Sequence, residues 1–148
     1  MTERQPDLRA DYVHFSRITT RWMDNDVYGH VNNVVYYSFF DTVVNKFLID
    51  GNSLDIESSG VVGLVVETQC QYFRSIRFPD TVDAGIRVAK LGSSSVRYEV
   101  GLFRNEDEDA AAQGHFVHVY VDRATGRPTS IPDVARRLLS TLLRSHAG

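Results

Sequence analysis

Apolar and polar positions alternate in four segments of this chain, and one long segment between the polar stretches does not alternate at all. Leu64, Val66, Thr68, Cys70 and Tyr72 interleave with Val65, Glu67, Gln69 and Gln71. Val82, Ala84, Ile86 and Val88 interleave with Asp83, Gly85 and Arg87. Val96, Tyr98, Val100 and Leu102 interleave with Arg97, Glu99 and Gly101, and Val117, Val119 and Val121 make the fourth set. A period of two sends one row of each segment to a core, so four such segments predict an antiparallel sheet with one buried face. Leu91 to Ser94 and Asn105 to Ala110 are the expected turns, and the acidic NEDED tip of the second is expected in solvent. His14 to Trp22 (HFSRITTRW), β-branched and aromatic, predicts one more strand ahead of these.

The segment from Val34 to Ile49 (VVYYSFFDTVVNKFLI) holds no Gly or Pro and is too long for an ordinary strand. As a helix it places Val34, Tyr37, Phe40, Val44, Phe47 and Leu48 on one face. Val35, Tyr36, Phe39 and Val43 widen that face, so the helix is expected to be buried almost all round. Its aromatic and β-branched content lowers intrinsic helicity, and packing must hold it. Asn32 or Asn33 is placed to cap it. A Gly/Ser/Asn-rich connection follows. Near the other end, Ser130-Ile131-Pro132-Asp133 resembles a helix start, and Val134, Leu138, Leu139, Leu142 and Leu143 make a short amphipathic helix. The order predicts an α+β fold, an antiparallel β-sheet wrapped around a long central α-helix. With 148 residues and no internal repeat, one domain spanning 1–148 is expected.

Composition narrows the function classes. Sixteen Lys and Arg against nineteen Asp and Glu give a net charge of −3, which speaks against a nucleic-acid-binding face. The one cysteine, Cys70, cannot form an intramolecular disulfide, and the polar start MTERQPDLRADY has no apolar h-region. Both fit a reducing, cytoplasmic setting. Asp41, Asn45 and Lys46 interrupt the most apolar run before it reaches the ~20 residues of a membrane span.

The densest polar cluster, RWMDNDVYGHVNN (Arg21 to Asn33), stands directly before the apolar helix. A helix N-terminus carries free N–H groups and the positive end of the dipole, which attract an anion or a developing oxyanion. Four readings of the cluster compete. As a calcium loop it fails, because Tyr28 and Val35 stand where the fifth and twelfth ligands belong. Asp24, Asp26 and His30 lack the second His or Cys of a zinc site, so no metal is expected. As an Asx-rich turn it would cap the helix and do nothing else. As a reaction centre it would set a carboxylate beside amide donors. Cys70 falls on the apolar row of its strand and reads as a core residue. No G-x-S-x-G elbow, P-loop or G-x-G-x-x-G occurs.

The string resembles the signature of the hot-dog-fold acyl-CoA thioesterases of the 4-hydroxybenzoyl-CoA thioesterase type, W-x-D-x-D-x-x-G-H-V-N-N followed by an aromatic-rich helix. Here it stands as Trp22, Asp24, Asp26, Gly29, His30, Val31, Asn32 and Asn33, then Tyr36 and Tyr37. The likeness continues, more weakly, in Gln71 to Arg74 with Phe78-Pro79-Asp80, in Leu91 to Val96, and in Arg123 to Pro132. It spans roughly residues 14–135. The family often has Pro where this chain has Ser75.

The resemblance implies an acyl-CoA thioesterase with no cofactor. It implies Asp26 as the reacting carboxylate, either nucleophile or general base on water, and the Asn33 backbone N–H as the donor that polarises the thioester carbonyl. His30 would hydrogen-bond the thioester or Asp26, or serve as a structural histidine. Asp24 would be structural, Tyr28 would line the acyl pocket, and Gly29 would supply a positive φ or a close approach to substrate. Lys90, Ser93, Ser94 and Ser95 would meet the nucleotide end of CoA, with Arg74, Arg77, Arg123 and Arg127 as further partners for its phosphates. Glu67 is the rival carboxylate, on the polar row of its strand. The family pairs subunits through their sheets as a homodimer or dimer of dimers. An acyl carrier protein as thioester donor, and a non-catalytic acyl-thioester binding module, are the alternatives.

Overall fold

The computed structural model describes residues 5–53 and 60–144. Five strands make one sheet: β1 (His14–Thr19), β2 (Val61–Tyr72), β3 (Thr81–Leu91), β4 (Ser95–Arg104) and β5 (Ala112–Asp122). Their order is β1-β3-β4-β5-β2, with every neighbouring pair antiparallel. The long helix α1 (Asn33–Asp50) lies against one face and the short α2 (Asp133–Ser140) closes one end. This is the expected hot-dog arrangement. The connection between α1 and β2 lies in part outside the described residues.

The core forms where the two periodicities meet. Phe40, Val43 and Val44 of α1 are fully buried against the inner rows Val82, Ala84, Ile86 and Val88 of β3 and Val96, Tyr98, Val100 and Leu102 of β4. The helix is not buried all round. Tyr36, Phe39, Phe47 and Leu48 complete its covered side, whereas Val34 is 67% exposed and Asp41, Thr42, Lys46 and Ile49 face outward. A run that is apolar by composition can still be one-sided, because Val34 and Ile49 sit on the stripe that carries the polar residues. In α2, Ala135 and Leu139 are buried, while Val134 stays about half exposed.

Three further expectations change. The first strand stops at Thr19, because Trp22–Asp24 turn into a short 3-10 segment that starts the polar loop. In β2, a bulge between Val65 and Glu67 leaves Val66 unpaired and shifts the alternation. Leu64 therefore pairs with Val119, while Thr68, Cys70 and Tyr72 fall on the inner side with Phe116, Gly114 and Ala112. The NEDED loop is only partly a solvated tip. Glu106 is exposed, but Asp107 receives Arg104 at 3.2 Å and the loop backbone receives Arg9.

The outer face of β3, β4 and β5 is covered by the segment that precedes β1. Tyr12 lies over Gly85 and Gly101; a Cβ on Gly101 would come within 2.6 Å of the Tyr12 ring. Arg87, 2% exposed, binds Glu99 at 2.8 Å and the Asp11 carbonyl at 2.7 Å, and its guanidinium sits 4.8 Å from the Tyr12 ring centre. The Tyr12 hydroxyl donates to Asp7 at 2.7 Å, and Asp7 N–H donates to Gln113, 106 residues away. The opposite half of the sheet ends in β2, whose twelve residues form an edge with Leu64, Val65 and Val66 all 45% exposed or more.

Candidate active site

The loop from Thr20 to Asn32 is built by Asp24. Its carboxylate, 1% exposed, accepts from the Arg21 N–H at 2.8 Å and from the Arg21 guanidinium at 2.8 and 3.1 Å. Its carbonyl accepts from Asn32 N–H at 2.9 Å, which joins the loop's first turn to the start of α1. Val31 N–H donates to Ile76 O at 2.7 Å, and Phe78 N–H donates to Asn25 Oδ1 at 3.1 Å. The motif is thereby tied to the chain between β2 and β3. Asp24 has the structural role expected of it.

Between these ties the chain makes one tight turn. Asp26 N–H donates to His30 O at 2.9 Å and Gly29 N–H donates to Asp26 O at 3.1 Å. Gly29 has φ +80°, a conformation that L side chains rarely adopt, so the turn needs glycine at this position. Asp26 Oδ1 accepts from Tyr28 N–H at 2.9 Å. Among the described residues, Oδ2 meets no hydrogen-bond donor and remains for a substrate or a water.

The helix start then fixes the donor. Asn32 is the N-cap, and its side-chain oxygen accepts from Val34 N–H at 3.0 Å while its carbonyl takes Val35 N–H at 2.9 Å. Asn33, the first helical residue, has no intrahelical acceptor for its own N–H. Asp26, His30 and Asn33 come together on a cavity of about 330 Å³, with Val31, Tyr36, Tyr72, Phe73, Arg74 and Ser75 as its other walls. Tyr72 donates from its hydroxyl to Asn33 O at 3.0 Å, and Tyr36 Oη accepts from Ile76 N–H at 3.3 Å. Burial raises both phenols above their ordinary pKa, which keeps them protonated. Arg74 stands at the rim, loosely paired with Asp107 at 3.4 Å and Asp109 at 3.5 Å.

Other sequence candidates lie elsewhere in the chain. Tyr28 is 82% exposed and lines neither cavity. Lys90, Ser93, Ser94 and Ser95 sit at the β3–β4 turn, the opposite end of the sheet from Asp26. The ten residue steps of β3 put the two ends ~33 Å apart. A larger cavity of about 500 Å³ opens at that far end, between α1, β2, β5 and the start of α2, and Arg123 borders it. It is the bigger opening, and among the described residues its lining includes no carboxylate, whereas the smaller one includes Asp26. Glu67 projects from the outer face of β2, where its Oε2 is 2.9 Å from His115 Nε2 at an angle that makes no hydrogen bond. Burial pushes the Cys70 thiol up to about 11, which disfavours the thiolate a nucleophile needs. Among the described residues no group of three or more His, Cys, Asp or Glu side chains could hold a metal ion, and no helix is long and apolar enough to cross a membrane.

Sequence reasoning gave no role to Tyr36 and Tyr72. Their signal was available: two tyrosines beside the quoted motifs, at positions where a core would take phenylalanine.

Comparison with known proteins extends the geometry. The chain is similar to the PA5185 protein of Pseudomonas aeruginosa, with 51% identity, a TM-score of 0.92 and coverage of 96% of this chain and 99% of that one. PA2801 of the same species, named as a candidate thioesterase, is 30% identical with a TM-score of 0.80, over 85% of this chain and 97% of its own. YsmA of Bacillus subtilis, whose activity is uncharacterized, is 24% identical over 133 residues, 90% of this chain and 89% of YsmA. The fold is shared with Slr0204 of Synechocystis, a 1,4-dihydroxy-2-naphthoyl-CoA thioesterase, at 12% identity and a TM-score of 0.78 over 85% of this chain and 94% of that one. The stretch that matches the family's sequence model, residues 20–139, begins at the Asp24 loop and ends in α2, and by it this chain belongs to the thioesterase-like superfamily.

Proposed function

We propose that this protein is an acyl-CoA thioesterase of the 4-hydroxybenzoyl-CoA thioesterase type, a cytoplasmic, single-domain hydrolase that releases a free carboxylic acid and CoA. The observation that carries the reading is one cavity lined by both Asp26 and Asn33, the latter at the start of α1 where its N–H has no intrahelical acceptor. Thioester hydrolysis needs an anion or an activated water at the carbonyl carbon and a donor at the carbonyl oxygen. Asn33 N–H supplies the donor, and preorganised donors of this kind contribute roughly 3 kcal/mol each to the transition state. Asp26 acts in one of two ways. As nucleophile it forms a mixed anhydride and expels CoA thiolate, which takes a proton; water then cleaves the anhydride and restores the carboxylate. As general base it takes a proton from water, whose oxygen attacks the thioester directly. His30 orients the thioester at the cavity wall, and Gly29 lets the substrate approach the backbone.

The site is completed by a second copy. Antiparallel pairing of two β2 edges, centred on Val66 and Glu67, sets Tyr72 of one protomer against Val61 of its partner. The far end of each sheet then meets the Asp26 end of the other. Tyr28, exposed in the single chain, would enter the shared site, and Lys90, Ser93, Ser94 and Ser95 would reach the CoA of the neighbouring protomer. The exposed apolar edge supports this pairing. Acyl carrier protein is the alternative donor, its acidic surface meeting the same cations.

The test is thiol release from a panel of aliphatic and aromatic acyl-CoAs. Hydrolysis of none of them faster than by the Asp26→Asn variant would sink the enzyme reading and leave an acyl-thioester binding module.

A further inference from the structure

The larger cavity is lined by a buried histidine whose ring packs against Tyr98 and Phe116. His118 is 2% exposed, on the inner face of β5 between Phe116 and Tyr120. It lines the cavity, yet among the described residues its Nδ1 meets no donor or acceptor. That nitrogen looks toward Gly63, where a Cβ would lie 3.2 Å from it, and Gly63 lines the same cavity. A second orphan stands beside it. The Tyr98 ring meets the His118 ring edge-on, with centres 5.6 Å apart, and its buried hydroxyl also has no partner among the described residues. Buried polar atoms without partners are uncommon, and each is costly to keep. A purely packing role at 118 would be served by an apolar residue, as Phe116 serves two positions earlier on the same face. Burial lowers the imidazole pKa to about 4, so His118 is neutral near pH 7, with one ring nitrogen a donor and the other an acceptor. Leu48, Val61, Val62, Pro132 and Val134 give the wall an aliphatic side, and Asn45, Asn52, Ser53 and Arg123 give it a polar one.

We propose that this cavity receives the far end of an aliphatic acyl chain and that His118 selects chains bearing a terminal hydroxyl, bound at Nδ1. The assignment rests on the two-subunit thioesterase reading given above. Within one chain Asp26 and the cavity lie at opposite ends of α1, whose eighteen residues span ~27 Å. Across paired β2 edges the cavity of one protomer faces the Asp26 of its partner.

Two experiments separate the assignment from the reading on which it rests. In the first, kcat/KM is measured for short, medium and long straight-chain acyl-CoAs, each with and without a terminal hydroxyl. At the length that fits, the hydroxylated member should be preferred about tenfold, as expected when its absence leaves a buried group unpaired. His118→Phe should abolish the preference and His118→Gln should keep part of it. Gly63→Ala, which crowds Nδ1 while keeping the imidazole, should reduce it. In the second, nitrogen NMR of isotope-labelled histidine follows Nδ1 of His118 in the full-length protein during titration with a straight-chain fatty acid or its terminally hydroxylated form. The hydroxy acid should move the resonance and the parent acid should not. Hydrolysis without discrimination, together with equal or absent NMR shifts, overturns the role of His118 and leaves the thioesterase standing. A selective NMR shift with no hydrolysis of any acyl-CoA overturns the thioesterase and leaves the hydroxyl site standing.

Discussion

Asn32 donates its backbone N–H to the carbonyl of Asp24 at 2.9 Å, and this bond fixes where Asp26 stands relative to the first turn of α1. The seven residues between Asp24 and Asn32 are closed into a loop tied at both ends. The buried Asp24 carboxylate holds one end and the capped helix holds the other. The acidic side chain and the free amide are thus set by backbone geometry before any substrate arrives, which is what electrostatic preorganisation requires.

Replacing the carboxylate while keeping its shape tests its chemical role. Asp26→Asn should leave folding nearly intact and lower kcat by at least ~10²-fold, the low end for loss of general acid–base help. Glu67→Gln, on the outer face of β2, should cost under ~10-fold. Steady-state kinetics on the best acyl-CoA measures both. Normal turnover in Asp26→Asn with collapse in Glu67→Gln would move the carboxylate to the sheet.

The cap can be tested by stability. Asn32→Ala removes the acceptor of Val34 N–H and should cost about 1 kcal/mol of unfolding free energy, read from urea denaturation. It should also lower kcat, because the Asn33 amide then sits on a frayed turn. An unchanged urea midpoint would show that the cap contributes nothing.

Assembly follows from the edge strand. Light scattering at micromolar concentration should give a dimer mass or a multiple of it. Leu64→Lys or Val65→Lys, at positions 49% and 45% exposed in the single chain, should shift the protein toward monomer and reduce activity with it. A fully active wild-type monomer would refute the shared site.

His118 gives acid sensitivity a sign. Its folded pKa is lowered by burial to about 4 from an ordinary 6.5, so between these values the unfolded chain binds the extra proton and the folded chain does not. Stability is therefore complete above pH 6.5 and falls as pH drops toward 4, by at most ~3 kcal/mol. Urea unfolding across this range should show the slope, and His118→Phe should flatten it. An identical slope in the variant would assign the acid sensitivity to other groups.

Much of the architecture was legible because the sheet and helix periods differ so clearly. Val82 to Val88 and Val96 to Leu102 have the alternation of strands packed on one side, and both are such strands. The bulge at Val66 was not legible, since an extra residue in an alternating run leaves hydrophobicity unchanged and alters only register. Nor was the one-sidedness of α1: Val34 looks like a core residue until its place on the outward stripe with Asp41 and Thr42 is known. At the site, the spacing of Asp26, Gly29, His30 and Asn33 was readable because a turn and a helix start are local. Tyr72 and Arg74 reach the same cavity from β2 and the connection after it, about forty residues away in sequence, and no local pattern announces that meeting.

The segment ahead of β1 has a consequence for biosynthesis. Its seat on the sheet is made of Gly85, Arg87, Gly101 and Gln113, and Asp7 must wait for Gln113, 106 residues later, before its N–H finds a partner. At translation speeds of ~5–20 residues per second that interval is roughly 5–20 s. Gly85 and Gly101, which Tyr12 covers, are made 73 and 89 residues after it, so its ring has no seat until β3 and β4 have been synthesised. Docking of this segment therefore comes late in the maturation of the domain, sealing the outer face after β3, β4 and β5 have already paired.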